Sequence, residues 1–337
     1  MRRLFFIWGL VPLVLFCLLS GSFMSFAYPQ TEVDNSAVEV IAWFDKRDTM
    51  TYWINSQNWN IENGDSVKVS DVSTKVLITV VDSTKKGYAM EYKFLDFRQN
   101  MAGVYPMDNF QNQIVEKLSD IMTDVSIDFK TDEFGHIIEY TNLEEVGKKV
   151  EELIDSSFVV FSQIPFLDSL KSIGVDVNEF LKKSINVEDF VDGCIGDLEL
   201  MFSCHGSAYE IGSRTEEIEA SENEYASKAY IAVSFDSESQ GYEIYSYRES
   251  FVPAEDVKKL VESYLSDDLN SLLKDEYDSV FTEDGLIDDT YFFKYFPDGW
   301  PEFVFRRYGP NIMGHHKVKI TNIEWEYRSI GNGRNSN

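Results

Sequence analysis

Few residues in this chain have types and spacings that could do chemistry. Cys204 and His205 put a thiol beside an imidazole base. Residues 195–211 read as a strand, where neighbouring side chains point to opposite faces, so the two cannot act as nucleophile and base. No glycine-rich elbow frames the cysteine. The other histidines, His136, His315 and His316, lack a His-Glu-x-x-His or Cys-x-x-Cys setting, so no metal site is expected. Acidic clusters at Glu216, Glu217, Glu219, Glu222 and Glu224, and at Glu283, Asp284, Asp288 and Asp289, miss the Asp-x-Asp-x-Asp-Gly register of a calcium loop. They read as solvated hairpin ends. No phosphate loop or dinucleotide fingerprint occurs, so no cofactor and no catalytic residue is expected.

Two further sets concern binding and stability. Trp53, Trp59, Trp300 and Trp325 lie in or beside strand patterns, and Gly299-Trp300-Pro301 is a turn-like setting for a large ring. These four are the candidate ligand-binding residues. Cys194 and Cys204 are the disulfide candidate in an oxidising compartment. Their bridge requires a turn between them, near Gly196-Asp197, and would contribute roughly 2–3 kcal/mol by the loop-entropy estimate.

The N-terminus carries an address. Arg2 and Arg3 precede an apolar run from Leu4 to Leu19, and Ser25-Phe26-Ala27 fits a peptidase site ahead of Tyr28. That is the layout of a secretory signal peptide, expected over residues 1–27. The run is shorter than the ~20 residues that span a bilayer. A periplasmic or secreted location follows as the expectation, with the membrane involved only if this segment is retained. The formal net charge is -28 over 337 residues. Such a surface argues against nucleic acid and anionic membranes as partners. Hydrophobic content of 44% excludes wholesale disorder.

The elements that position these residues alternate between strand and helix patterns. Strand signals run through 49–61, 67–81 and 88–97, with Asp82-Ser83-Thr84-Lys85-Lys86-Gly87 as a hairpin turn. Helices are predicted near 109–123, after Asn142, in shorter pieces over 165–190, and after Pro253. Strands return at 195–211, 228–235, 242–250, 290–296, 302–308 and 316–328. Asp236-Ser237 with Gly241-Tyr242 repeats the spacing of Asp82-Ser83 with Gly87-Tyr88. Thr282-Glu283-Asp284-Gly285 likewise echoes Thr131-Asp132-Glu133-Phe134-Gly135. The expected fold class is therefore α+β: antiparallel sheet with helices packed on one face, and an internal duplication of a hairpin-helix-hairpin unit. The units are 28–141, a helical connector 142–194, and 195–337. Gly87 and Gly241 are both expected at positive φ.

Trp59-Asn60-Ile61 with Gly64-Asp65, Val80-Val81-Asp82-Ser83-Thr84 with Gly87-Tyr88, the Phe134-Gly135 turn and Gly299-Trp300-Pro301 together resemble uncharacterised exported proteins of Bacteroides-type bacteria. The resemblance implies an envelope location and no known chemistry. The functional expectation is a non-enzymatic periplasmic or secreted binding protein for an apolar or amphiphilic small molecule. The alternatives are a carboxylate-based hydrolase and an envelope assembly protein that binds another protein.

Overall fold

In the computed structural model, residues 37–62, 64–100, 123, 125–161, 187–221, 224–236, 240–264, 283–312 and 315–330 are described. β1 (Ala37–Glu39), β2 (Thr49–Glu62), β3 (Asp65–Thr84), β4 (Gly87–Asn100), β5 (Ser126–Thr131) and β6 (Ile137–Tyr140) precede two helices, α1 (Leu143–Phe161) and α2 (Val187–Phe202). Then come β7 (Ala208–Glu210), β8 (Gly212–Ile218), β9 (Ser227–Phe235) and β10 (Tyr242–Val252). Helix α3 (Ala254–Tyr264) leads to β11 (Gly285–Tyr295), β12 (Pro301–Ile312) and β13 (His315–Ser329). Eleven strands form one sheet in the order β6-β5-β4-β3-β2-β13-β12-β11-β10-β9-β8, and β1 pairs β7 separately. All the pairings are antiparallel.

Period-two alternation explains the strands. Met50, Tyr52 and Ile54 on β2, Val76, Ile78 and Val80 on β3, and Met90, Tyr92 and Phe94 on β4 are all buried. They share one face, here called the inner face, with Phe293, Val304 and Ile323 across the β2–β13 seam. Val146 and Val150 of α1, and Leu198, Met201 and Phe202 of α2, complete the core.

One contact set shows that the sheet is rolled. The β5–β6 turn and the β11–β12 turn stand six strand spacings apart, about 29 Å if the sheet were flat. Yet two consecutive residues hold both turns. Ala42 N–H donates to Phe134 O, and Trp43 N–H donates to Asp298 O, each at 2.9 Å. Residues 40–44 are thus a strap that draws strand ends together, and the inner face is concave. Gly299 makes the close approach feasible: at φ 84, a Cβ there would lie 2.3 Å from Ile41 O.

The strap closes one end of the roll over aromatic rings. Phe44 stacks on Trp300 with centroids 4.1 Å apart, and Phe202 stacks on His205 at 5.0 Å. Tyr88 Oη donates to Ala42 O at 2.9 Å, and Tyr52 Oη donates to Pro301 O at 3.0 Å. The opposite end, at Glu62, Asp65, Asn100, Val252, Gly285 and Ile312, is where these strands begin or finish away from the strap; no strap crosses it among the described residues, and it is here called the open end.

Several expectations are corrected here. The fold is not α+β with helices covering one face. It is dominated by a single antiparallel sheet, because β2, β3 and β4 run 14, 20 and 14 residues and their neighbours continue the same sheet. Residues 195–202, expected as strand, belong to α2. The hairpin-helix-hairpin duplication fails at its second turn: Asp132–Gly135 joins β5 to β6, whereas Glu283-Asp284 leads out of the α3 region into β11. There Asp284 Oδ1 accepts from Ala254 N at 3.0 Å, so the same acidic turn chemistry caps a helix start. Gly87 has φ 131, as expected, but in the second hairpin Gln240 takes the positive φ at 57. Asn142, which precedes α1, uses its side chain on β5 rather than on the helix. Its Oδ1 accepts from Asp128 N at 2.8 Å and its Nδ2 donates to Ser126 O at 3.0 Å, tying the helix start to β5. The expected segments 1–27, 109–122 and 165–186 lie outside the described residues.

Candidate functional site at the open end of the inner face

Register carries the inner face past the apolar core. On β12 the inward residues after Val304 are Arg306 and Tyr308. Their partners on β13 are Thr321 and Lys319, and on β11 Tyr291 and Asp289. On β10, Ser246 and Arg248 stand opposite Tyr291 and Asp289. β9 adds Ile231 opposite Ser246, and Ala229 opposite Arg248. Across the seam, the same face continues through Ser56, Val72 and Phe97. Most of these residues are half-buried, whereas Val304 and Ile323 are fully covered.

Charge at this end is ordered. Arg306 makes a two-pronged contact with Asp289: Nε to Oδ1 at 3.1 Å and Nη2 to Oδ2 at 2.9 Å. Tyr291 Oη also donates to Asp289 Oδ2 at 2.7 Å. The guanidinium lies over the rings of Tyr291 and Tyr308, at 5.0 and 5.3 Å from their centroids. Such stacking fixes a planar cation that hydrogen bonds alone would leave free to swing. Burial raises the Asp289 carboxyl above the usual carboxylate range, and Arg306 opposes that rise. Arg306 itself is held above its ordinary value by Asp289, against the pull of burial. Arg248 Nε donates to Ser227 Oγ at 2.9 Å, with Glu224 at 3.7 Å.

Helix α2 packs on β12 and brings Asp197 to this end. Burial raises the Asp197 carboxyl, and the nearby charges of Lys319 and Arg306 oppose that. Among the described residues at this end, no nucleophile is set against a base. The arrangement offers aromatic faces, hydroxyls and a group of cations with two partly desolvated carboxylates, which is recognition chemistry.

The expected site residues do not converge. Trp300 is fully buried at the closed end. Trp325, 42% exposed, meets Phe296 edge-on at 5.3 Å. Trp53 and Trp59 lie on the outer face, covered by cations: Lys75 and Arg98 over Trp53 at 5.3 and 4.9 Å, and Lys68 over Trp59 at 5.6 Å. Cys204 is a free, buried thiol. Cys194 sits eight residues before the last residue of α2, about 12 Å along the helix axis, so the turn a bridge would need is replaced by helix. The side chain of Cys194 lies outside the described residues.

Cys204 and His205 are in the tight turn after α2, not on a strand, and both face the core. Burial pushes the Cys204 thiol up and the His205 imidazole down to about 4. His205 Nε2 lies 2.9 Å from Gly299 O and so carries the proton, while Nδ1 has no hydrogen-bond partner among the described residues. These are properties of a structural pair. Among the described residues, no group of three or more His, Cys, Asp or Glu gathers as metal ligands. A cleft of about 410 Å³ lies at the β6 edge, lined by His136, Ile137, Ile138, Glu139, Tyr140, Glu199, Phe202 and Ser203. Glu139 there is paired with Lys130 at 2.8 Å.

The open-end residues escaped the sequence reading, although a signal existed. Arg306 and Tyr308 continue the alternation of Val304, and Lys319 and Thr321 continue that of Ile323. Cations on an inward phase mark a change in what that face meets.

No protein-family model matches the chain, and no curated protein matches it. Among solved structures it is similar to one described as lipid-protein interactions in lipovitellin, at 9% identity and a TM-score of 0.40. That match covers 87% of this chain and 26% of the other, so the chain spans about a quarter of its length. A second likeness, to an outer membrane channel from Pseudomonas putida F1, has 6% identity and a TM-score of 0.14, covering 88% of this chain and 100% of that one. Among the described residues, no helix is long and apolar enough to cross a membrane.

Proposed function

We propose that the chain is a non-enzymatic binding protein for an amphiphilic small molecule, seated at the open end of the rolled sheet. The observation that carries this reading is the gradient along one face. Within one or two inward positions, the same strands pass from the sealed Phe293, Val304 and Ile323 to the half-buried Tyr291, Arg306, Tyr308 and Lys319. An amphiphile has the same gradient within one molecule. Its apolar part would lie along Val72, Phe97 and Ile231 toward the core, and its polar part would meet the hydroxyls and charges. The secretory character of residues 1–27 supports placing this activity outside the cytoplasm.

Native mass spectrometry of the purified full chain tests the reading, together with melting curves in dodecyl phosphate or dodecyl maltoside below micelle concentrations. A ligand that prefers the native state stabilises it by about 2.7 kcal/mol at a hundredfold excess over Kd. The expected result is a retained amphiphile, or a clear rise in Tm with at least one probe. Neither retention nor a rise with either probe would overturn the reading.

A further inference from the structure

The open end has a polarity that selects among amphiphiles. Arg306 and Lys319 stand diagonally on neighbouring strands of the inner face, since Arg306 faces Thr321 and Lys319 faces Tyr308. Arg248 stands two strands from Arg306, opposite Asp289. Three cations thus share one concave surface in a chain of net charge -28. Two of the five N–H groups of Arg306 are engaged by Asp289, which among the described residues leaves both of those on Nη1 and one on Nη2 for another acceptor. The ring faces of Tyr291 and Tyr308 hold the guanidinium where it is, so an incoming anion meets a preorganised donor. Hydroxyls at Thr321 and Ser246 flank it.

Helix α2 supplies the remaining part. It packs on β12 and places one carboxylate, Asp197, within the electrostatic reach of Lys319 and Arg306. Asp289 is fixed by three hydrogen bonds within the sheet, but Asp197 belongs to a different element.

Resting on the binding function above, we propose that Lys319 and Arg306 receive the anionic head group, a phosphate or carboxylate, of the bound amphiphile. A neutral head group would gain less from these two cations. Removing the nearby carboxyl group of Asp197 should strengthen binding of an anionic ligand, and removing the lysine should weaken it.

The experiment measures binding by calorimetry on the full chain, with three probes: dodecyl phosphate, dodecyl maltoside and inorganic phosphate. The unaltered protein is expected to bind dodecyl phosphate about tenfold more tightly than dodecyl maltoside, the size of one charge-assisted hydrogen bond. Lys319→Met should erase that preference while leaving maltoside binding in place. Asp197→Asn should strengthen dodecyl phosphate binding severalfold and change maltoside binding little. Arg98→Gln, the same charge loss on the outer face, should leave the preference intact. Equal affinities for the two amphiphiles overturn the head-group assignment while the binding function stands. Absence of binding by both amphiphiles overturns the function itself. Inorganic phosphate matching dodecyl phosphate in affinity means a free-anion site and also overturns the assignment. If Lys319→Met does not fold, Asp197→Asn decides: weaker or unchanged binding of dodecyl phosphate overturns the head-group assignment.

Discussion

The two ends of the rolled sheet are made from the same strands and do opposite things. At the closed end, the strap, Trp300, Phe202 and His205 exclude water and lock strand ends that sheet order alone would keep far apart. At the open end, polar side chains occupy the same inward phase and stay half-buried. The closed end should therefore hold most of the sensitivity of stability to mutation, and the open end most of the sensitivity of binding. Sites of function are commonly drawn from the less stable part of a fold.

The comparison can be broken at several points. Trp300→Ala removes a fully buried ring stacked on Phe44 and should cost about 3–5 kcal/mol in urea unfolding. A cost below about 1 kcal/mol would mean that the strap does not depend on the aromatic cluster. Acid should act next most strongly. His205 is 2% exposed and its pKa is lowered from about 6.5 to about 4 by burial. Between those values the unfolded chain takes up a proton and the native chain does not. The stability that comes from keeping this imidazole neutral is complete above pH 6.5 and is lost as pH falls toward 4, by about 3 kcal/mol in all. Subtracting the pH–stability profile of His205→Gln from that of the unaltered protein should isolate this fall. A flat difference between pH 4 and 6.5 would remove His205 from the account.

Smaller effects sharpen the contrast. Gly87 has φ 131, and a Cβ there would lie 2.0 Å from Thr131 O, so Gly87→Ala should destabilise by about 1–3 kcal/mol. A Tm equal to that of the unaltered protein would show that this hairpin relaxes freely. At the open end, Arg248→Gln breaks a contact with the partly exposed Glu224 and should change stability by less than about 1 kcal/mol. The same variant should still weaken retention of an anionic amphiphile. A stability loss as large as that of Trp300→Ala would erase the distinction between the two ends.

Much of the sheet is legible in the sequence, because alternation over Met50–Ile54 and Val76–Val80 has only one physical use. The roll is not legible. It is held by backbone bonds from Ala42 and Trp43, and backbone groups are alike at every residue. Residues 195–202 of α2 read as strand in the sequence because Leu198, Leu200, Met201 and Phe202 are buried on several sides, and a short apolar run carries no period of its own. That misreading also gave Cys204 and His205 the wrong geometry. Tryptophans drew attention to Trp53, Trp59, Trp300 and Trp325, yet a large ring says only that apolar area must be covered. The strap covers Trp300, and Lys75 and Arg98 cover Trp53. The candidate site depends on Arg306 and Lys319 becoming neighbours, and only strand register shows that.

The strap also sets an order of events. Ala42 and Trp43 lie near the beginning of the chain, while their partner Asp298 and the ring of Trp300 come near its end. A chain emerging from a ribosome or a translocation pore exposes the strap long before the turn that it must grip exists. Contacts so distant in sequence slow folding and leave apolar segments uncovered meanwhile. Closure of the roll is thus a late event, available only to a chain extending at least through the β11–β12 turn.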